Sequence, residues 1–537
     1  MAHGSLHEGL ALSQALASSV QAQALDAEAC NQWGMNQFAL IEAAGRKCAG
    51  SFAAGFRPAG KMVVLAGSGN NAADALVMLK TLILDGFAAP SECSVFTTRL
   101  TCGKAALTEA AAFIRKIGVP VHVWDAEKAS IDLAQAAIVI DGISGTGLSG
   151  PLHGCALEMA EAIKAHKNIF TVSIDCPSGN FDGWRAGMPM LHADATLAIE
   201  PQKTCLYSPA ARANAGIILP VTGIFPQALI EKYRSAELVS WESAAAKIPP
   251  VPQTAHKYER GLVEIRAGSA GAAGAALLAA LGAQAAGAGL VRLIVDPSLY
   301  PAIAPACSGI MAVPGGSSAD EGRFPPSAIL LGPGWGKSED RKLLFEKCLP
   351  LEKQGIPLIL DADAIPLAKN ITFNGNAILT PHTGEFSALT GIPKDEILSN
   401  TINIIKAFSA EKNATILFKS HVMYIASPDG RIGIVDGMNP QLASGGSGDA
   451  LAGFCAAIAA RWRAMAAGFF CGISTQMREI NSFDGYGCAC AAAALLIQAA
   501  KAEAVAGKFT DAADIAKAAA AIAGAAWLQT PGSYNER

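Results

Sequence analysis

Short apolar runs that stop abruptly at a polar group set the first limits on this chain's fold. Residues 61–66 form one such run, and Gly67, Ser68, Gly69, Asn70 and Asn71 follow it. Residues 136–140 lead into Asp141, 169–174 into Asp175, 357–360 into Asp361 and 415–418 into Lys419. A short continuous apolar run reads as a strand buried on both faces, and such strands alternating with helical stretches build a parallel sheet. Open parallel sheets carry their sites at the carboxyl ends of the strands. The polar groups are therefore expected along one edge of α/β sheets. A helix over 75–84 is expected after the first glycine turn, and residues 11–55 read as helix.

A chain of 537 residues exceeds what one hydrophobic core holds, so two domains are expected. Residues 239–256 include Pro250, Val251 and Pro252 and read as a linker between domains at 1–238 and 257–537. With a net charge of −4 and no long Lys/Arg run, nucleic acid is excluded as an expected partner. Thirteen scattered cysteines without a CxxC pair imply reduced thiols and a cytoplasmic protein. Cys488 and Cys490 are expected in a core helix, and the histidines show no metal spacing. Residues 10–24 lack a basic flank, so no secretory signal is expected there. Residues 271–291 carry no charge but are mostly Ala and Gly, which suits a helix packed tightly on a sheet and not a membrane span. Residues 461–486 read as a polar insertion at a site rim or an oligomer contact, and a homo-oligomer is expected.

The stretch 439–453 holds Gly445, Gly446, Ser447, Gly448, Asp449 and Gly453 before an apolar run over 450–460. Glycines let backbone N–H groups approach an anion, and a helix N-terminus favours negative charge. Asp449 is then placed to take a proton from a hydroxyl beside a phosphate. A plain loop with an N-cap is the other reading, and the stretch alone does not separate them. Asp361 and Asp363 read as helix caps before metal ligands. His382 on its own reads as a turn residue, and Lys419 as a lysine closing a buried strand.

Asp361-Ala362-Asp363-Ala364, Leu379-Thr380-Pro381-His382-Thr383-Gly384-Glu385, Phe418-Lys419 and Gly445-Gly446-Ser447-Gly448-Asp449 follow one another in this order. The series resembles the ADP- or ATP-dependent NAD(P)H-hydrate dehydratases, from about residue 257 to the end. Asn70, Asn71, Asp74, Asp141, Gly145 to Leu148, Pro151, Asp175 and Ser178 resemble the NAD(P)H-hydrate epimerases, the YjeF-type N-terminal domain, over about 10–235. The resemblance implies an α/β protein of two domains: an N-terminal Rossmann-like three-layer αβα domain and a C-terminal ribokinase-like αβα domain. It implies epimerisation of R- and S-NAD(P)HX, and ADP-dependent dehydration of the S form to NAD(P)H with release of AMP and phosphate. ATP is the other candidate donor.

By the same resemblance Asp449 and Asp175 are the acid/base groups. Asn70, Asn71, Asp74, Gly145, Thr146, Gly147, Leu148 and Pro151 would bind NADHX or NADPHX in the first domain. Ala275, Gly334, His382 and Asp449 would bind it in the second. Lys419, Ser420, Gly445, Gly446, Ser447 and Gly448 would hold the nucleotide, with Mg²⁺ among its phosphates. Asn71, Asp141 and Ser178 would bind K⁺.

Ala72, Ala73 and Ala75 stand where the epimerases have glycines, and Ser420 replaces a glycine after Lys419. The first domain is therefore read two ways, as a working epimerase or as a scaffold whose alanines clash with a ligand or demand positive φ. The alternative for the whole chain is an ATP-dependent small-molecule kinase of ribokinase-like fold behind a non-catalytic nucleotide-binding scaffold.

Overall fold

The computed structural model describes residues 14–56, 60–99, 105–166, 168–248, 250–317, 322, 324–466, 483–505, 507 and 509–528. Its contacts divide the chain into two units, a first of Ala15–Glu237 with Leu398–Asn400 and a second of Met1–Gln14, Leu238–Ile397 and Thr401–Arg537.

The first unit is built on seven parallel strands. In spatial order they are Val121–Val123, Cys93–Thr97, Lys61–Ala66, Ala136–Gly142, Phe170–Ile174, Ala195–Ile199 and Ile217–Val221. Side chains alternate along each strand, so the sheet buries two faces. Val64, Val95, Ile140 and Val172 pack with helices Gln37–Gly55, Asn70–Leu84 and Ala105–Lys116. Val63, Leu65, Phe96 and Val139 pack with helices Ala126–Leu133 and Gly154–Lys164. This is a three-layer αβα unit. The chain runs outward from Lys61–Ala66 to one edge and returns at Ala136–Gly142 to run the other way. The crevice between those two strands is the switch point where such sheets bind ligands.

The amino-terminal stretch departs from a continuous helix. Gln14–Ala17 is a strand that pairs with Gln202–Lys203, and helices Ser19–Asn31 and Gln37–Gly55 follow. Ser18 caps the first helix, and the strand owes its existence to a partner nearly two hundred residues away, which no local pattern announces. The helix after the glycine turn starts at Asn70 and not at 75, so Asn70 to Asp74 form its first turns.

Among the described residues, nine strands lie wholly within the second unit. Their order is Met311–Pro314, Leu290–Val295, Leu262–Arg266, Ala328–Leu331, Leu358–Leu360, Ala377–Leu379, Thr415–Phe418, Val422–Ala426 and Ile432–Asp436. All pairings are parallel as far as Thr415–Phe418, and the last two are antiparallel. The switch point here lies between Leu262–Arg266 and Ala328–Leu331.

Small residues explain the uncharged stretch at 271–291. Helix Ala273–Ala285 packs on helix Ser447–Ala466 as well as on the sheet. A Cβ added to Gly282 would fall 2.4 Å from the Ala450 carbonyl oxygen, and one on Gly453 would fall 2.1 Å from that of Ala279. The helices touch backbone to backbone, which only glycine permits. Helix Gly485–Val505 is long and apolar enough to cross a membrane, but it lies in the core of this unit, Cys488 and Cys490 included.

Residues 239–256 pack into the second unit instead of spanning open space. Ala244 and Ile248 are in its core, and the rings of Trp241 and Trp527 lie 5.4 Å apart. Of the insertion expected at 461–486, residues 461–466 continue the preceding helix and Gly485 opens the next. Residues 467–482 lie outside the described residues.

Candidate active sites

The first site is a cavity of about 850 Å³ at the switch point of the first unit, within the range of small-molecule sites. Ser68, Gly69, Asn70, Asn71 and Asp74 line it from the turn and the start of helix Asn70–Leu84. Gly145, Thr146, Gly147 and Leu148 line it after strand Ala136–Gly142, and Asp175 after Phe170–Ile174. Pro151 does not line it. The segments that leave strands Lys61–Ala66 and Ala136–Gly142 approach too closely for a side chain at position 67. A Cβ on Gly67 would fall 2.0 Å from the Ile143 carbonyl oxygen.

Asp175 sits in the left-handed region at φ 66°. Lys203 Nζ donates to its Oδ1 at 2.6 Å, and the Thr146 hydroxyl donates to Oδ2. Burial works against the charge of Lys203, but Asp175 beside it holds the ammonium above its usual value. Asp74 is buried, its Oδ1 has no hydrogen-bond partner, and burial with Asp175 and Asp26 nearby pushes its carboxyl well up. Asp26 also lines the cavity, and its carboxyl is raised to about 6, first by burial.

The three alanines do not disturb this site. Ala72, Ala73 and Ala75 are buried in the helix core, none lines the cavity and none has positive φ. The clash on which the scaffold reading rested is absent, because position 70 already begins the helix and turns those methyls inward.

Behind the cavity Asp141 is fully buried among donors. Its Oδ2 accepts from Ser173 Oγ at 2.7 Å and from Ser178 N at 2.9 Å, and its Oδ1 accepts from Ser178 Oγ at 2.5 Å. Burial raises its carboxyl against these bonds. Asn71 Nδ2 donates to Ser144 O at 3.0 Å, and Ser178 Oγ lies 3.2 Å from the same oxygen. Asn71 Oδ1 is buried with no partner. Asn71, Ser144, Ser178 and Asp141 thus form one oxygen-rich cluster with an unused acceptor.

The second site gathers at the carboxyl ends of the strands of the second unit. Lys419 follows Thr415–Phe418 and donates through Nζ to Asp361 Oδ1 at 2.5 Å, and Thr380 Oγ1 donates to the same oxygen at 2.7 Å. Asp361 stands at the N-cap position of the short helix Ala362–Ala368, but its side chain makes no capping bond and neutralises a lysine instead, whereas Asp363 Oδ2 accepts from Gly336 N at 2.8 Å. Burial opposes the charge of Lys419, and Asp361 and Glu385 hold it above its usual value.

Asp449 lies in the first turn of helix Ser447–Ala466. Burial, then Asp361 and Glu385 acting against Lys419, raises its carboxyl to about 6. A Cβ on Gly448 would fall 3.5 Å from Lys419 Nζ, so the lysine faces the glycine turn. Gly446 has φ 93°, and Gly445 opens onto free space. The Ser447 hydroxyl donates to Leu442 O at 3.1 Å and the Ser420 hydroxyl to Val422 O, so both shape turns.

His382 caps helix Thr383–Thr390. Its Nδ1 accepts from Gly384 N at 2.9 Å, which leaves the proton of the neutral ring on exposed Nε2. Gly334, at φ 54°, lies against Ala272 and Ala275, so its backbone meets the helix start at the switch point.

Asp26 and Lys203 line the first site but are not among the site residues that the resemblance assigns to it. A helix face repeating at Gln23, Asp26, Ala27 and Cys30 was the available signal for Asp26.

Two family profiles match the chain: NAD(P)H-hydrate dehydratase over residues 263–521 and YjeF-related protein N-terminus over 37–205. The bifunctional NAD(P)H-hydrate repair enzyme of Gloeobacter violaceus is 32% identical over 434 residues, which is 75% of this chain and 81% of that protein. The enzyme of the same name from Thermofilum pendens is 29% identical over 419 residues, 74% of this chain and 78% of that protein. Both units, in this order, lie within these matches, and the chain belongs to the family of bifunctional NAD(P)H-hydrate repair enzymes.

Proposed function

We propose that the chain repairs hydrated nicotinamide nucleotides. The first unit interconverts R- and S-NAD(P)HX, and the second dehydrates the S form at the expense of ADP, yielding NAD(P)H, AMP and phosphate. The observation that carries this reading is Asp449: a carboxyl raised to about 6, in the first turn of a helix behind a glycine turn, facing Lys419.

Hydroxide is a poor leaving group, so the ring is restored only after the hydroxyl is phosphorylated. Asp449 takes the hydroxyl proton as its oxygen attacks the terminal phosphoryl group of ADP. The N–H groups of Gly446 to Gly448 and the Lys419 ammonium stabilise the charge that develops on the transferred group. Loss of phosphate from that carbon and of a proton from the neighbouring ring carbon then restores the double bond of the reduced ring. No group of three or more His, Cys, Asp or Glu able to hold a metal occurs among the described residues. Mg²⁺ would accordingly sit chiefly on nucleotide phosphates, where it neutralises charge.

In the first unit the buried carboxylate of Asp141 and the unpartnered Asn71 Oδ1 fit a cation that takes oxygen ligands. Asn71, Asp141 and Ser178 would hold K⁺ there and so fix the loop 144–148 that walls the cavity. Asp175 would handle a proton at the epimerised carbon, with Asn70, Asp74 and residues 145–148 around the nucleotide.

The test uses purified S-NADHX with ADP or ATP and follows the reduced nicotinamide band at about 340 nm. Wild type should restore the band with one phosphate released per NADH, and Asp449→Ala should lose at least about 100-fold in rate. A phosphorylated product that accumulates with no band restored would favour the small-molecule kinase instead.

A further inference from the structure

The cavity of the first unit holds more ionisable groups than a single epimerisation base requires. Helix Ser19–Asn31 turns Gln23, Asp26, Ala27 and Cys30 toward it, a face spaced by three and four residues. Gln23 Nε2 donates to Thr146 O at 2.8 Å, and the hydroxyl of Thr146 holds Asp175. The helix is thereby tied to the loop that grips Asp175, and Asp26 lies one turn further along. Cavity solvent reaches Asp26 although protein surrounds it. Burial raises its carboxyl to about 6, with Lys203 opposing and Asp175 adding to the shift. The other titratable groups lining the cavity are Cys30 on the same helix, Asp74 on helix Asn70–Leu84, Asp175 after strand Phe170–Ile174, and Glu200 and Lys203 after strand Ala195–Ile199.

The substrate's own chemistry asks for two such groups. Each double bond of a dihydropyridine is an enamine, so added water leaves its hydroxyl on a carbon bonded to the ring nitrogen. Configuration at that carbon is lost when the C–O bond breaks. The oxygen leaves with the bonding pair and takes up a proton, while the nitrogen lone pair forms a C=N bond. Water then adds to the opposite face and gives up a proton. An acid is needed on one face and a base on the other, which a single carboxyl does not supply.

Resting on the repair reading of the first unit, we propose that Asp26 is the second acid/base group of epimerisation. It protonates the departing hydroxyl, and Asp175 accepts the proton of the water that adds from the opposite face. One water leaves and one enters. The proton given up by Asp26 is matched by the one gained at Asp175, and the reverse reaction runs with the roles exchanged. Lys203, 2.6 Å from Asp175, balances its negative charge.

The experiment follows conversion of purified R-NADHX to S-NADHX by the full chain without ADP, over pH 5 to 9 and in ¹⁸O-labelled water, for wild type, Asp26→Asn and Asp26→Glu. ADP-dependent dehydration of S-NADHX by the same preparations reports that each variant is folded. Asp26→Asn should lower kcat at least about 100-fold with KM within a few-fold, and keep dehydration at the wild-type rate. Asp26→Glu should recover part of the loss. Wild-type epimerisation should fall as pH climbs through about 6, carry label into the hydroxyl, and lose that pH limb in Asp26→Asn. Wild-type epimerisation by Asp26→Asn, a loss confined to KM, or absence of label each overturns the proposal. No epimerisation by wild type itself overturns the repair reading of the first unit as well. If Asp26→Asn loses both activities, Asp26→Glu decides: epimerisation supports the role, and dehydration without epimerisation overturns it.

Discussion

Lys419 Nζ lies 2.5 Å from Asp361 Oδ1, an ion pair set at the carboxyl ends of two strands that sandwich a third. The Asp361 side chain is 2% exposed, so its charge is matched by Lys419 and the Thr380 hydroxyl and hardly at all by water. A lysine raised above its unfolded value stabilises the fold fully below that value and loses the effect as pH rises through the folded one. The pair is therefore intact at neutral pH. Lys419→Met leaves a buried carboxylate uncompensated and should cost about 3 kcal/mol in urea unfolding. A cost below about 1 kcal/mol would show that the carboxylate finds another partner.

Asp449 is raised in the fold, to about 6, which reverses the sign. Its ionised form is disfavoured in the native state, so its contribution is neutral below the unfolded value and becomes unfavourable as pH climbs from about 4 to about 6. Asp449→Asn should be more stable than wild type at pH 7, by about 1–2 kcal/mol, and no more stable at pH 3. Dehydration by wild type should fall as pH drops through about 6, because the base must be ionised. Thermal unfolding and pH–rate profiles check the two halves.

Ala72 and Ala73 are buried in the helix that opens the first site. Restoring glycine at either position should destabilise the first unit by about 1 kcal/mol, through backbone entropy and lost contacts, with no gain in epimerisation. A marked rise in epimerisation rate would mean that those methyls do obstruct the ligand.

Asn71 Oδ1 has no partner within the protein, and Asp141 is closed in by Ser173 and Ser178. Exchange of K⁺ for Li⁺ should lower both the melting temperature and epimerisation, and Asp141→Asn should abolish the dependence on the ion. Equal melting temperatures in the two salts would argue for a purely hydrogen-bonded cluster.

Much of this was legible in the sequence where local signals agree with the tertiary fold. Strands Lys61–Ala66, Ala328–Leu331 and Thr415–Phe418 begin and end where their apolar runs do, because strands buried on both faces leave no polar position inside. His382, Lys419 and Asp449 could be read as one site because strand ends in a parallel sheet lie along one edge, whereas Asp361 reads from the sequence as a cap and its pairing with Lys419 shows only in the fold. The strand Gln14–Ala17 and the packing of residues 239–256 depend on partners far along the chain. Asp26 and Lys203 come from motifs with no chemistry of their own, and only folding gives them a common cavity. The direction of the alanines at 72, 73 and 75 is likewise undetermined by sequence, since it depends on where the helix starts.

The central claim is that one chain carries both steps of repair. The direct measurement is the fraction of an equimolar mixture of R- and S-NADHX that returns to NADH with ADP and wild-type protein, read at about 340 nm within a time too short for spontaneous epimerisation. The account predicts recovery of the whole mixture, and of the S fraction alone when Asp175 is replaced by Asn. Recovery that stops at the S fraction with wild type would contradict it.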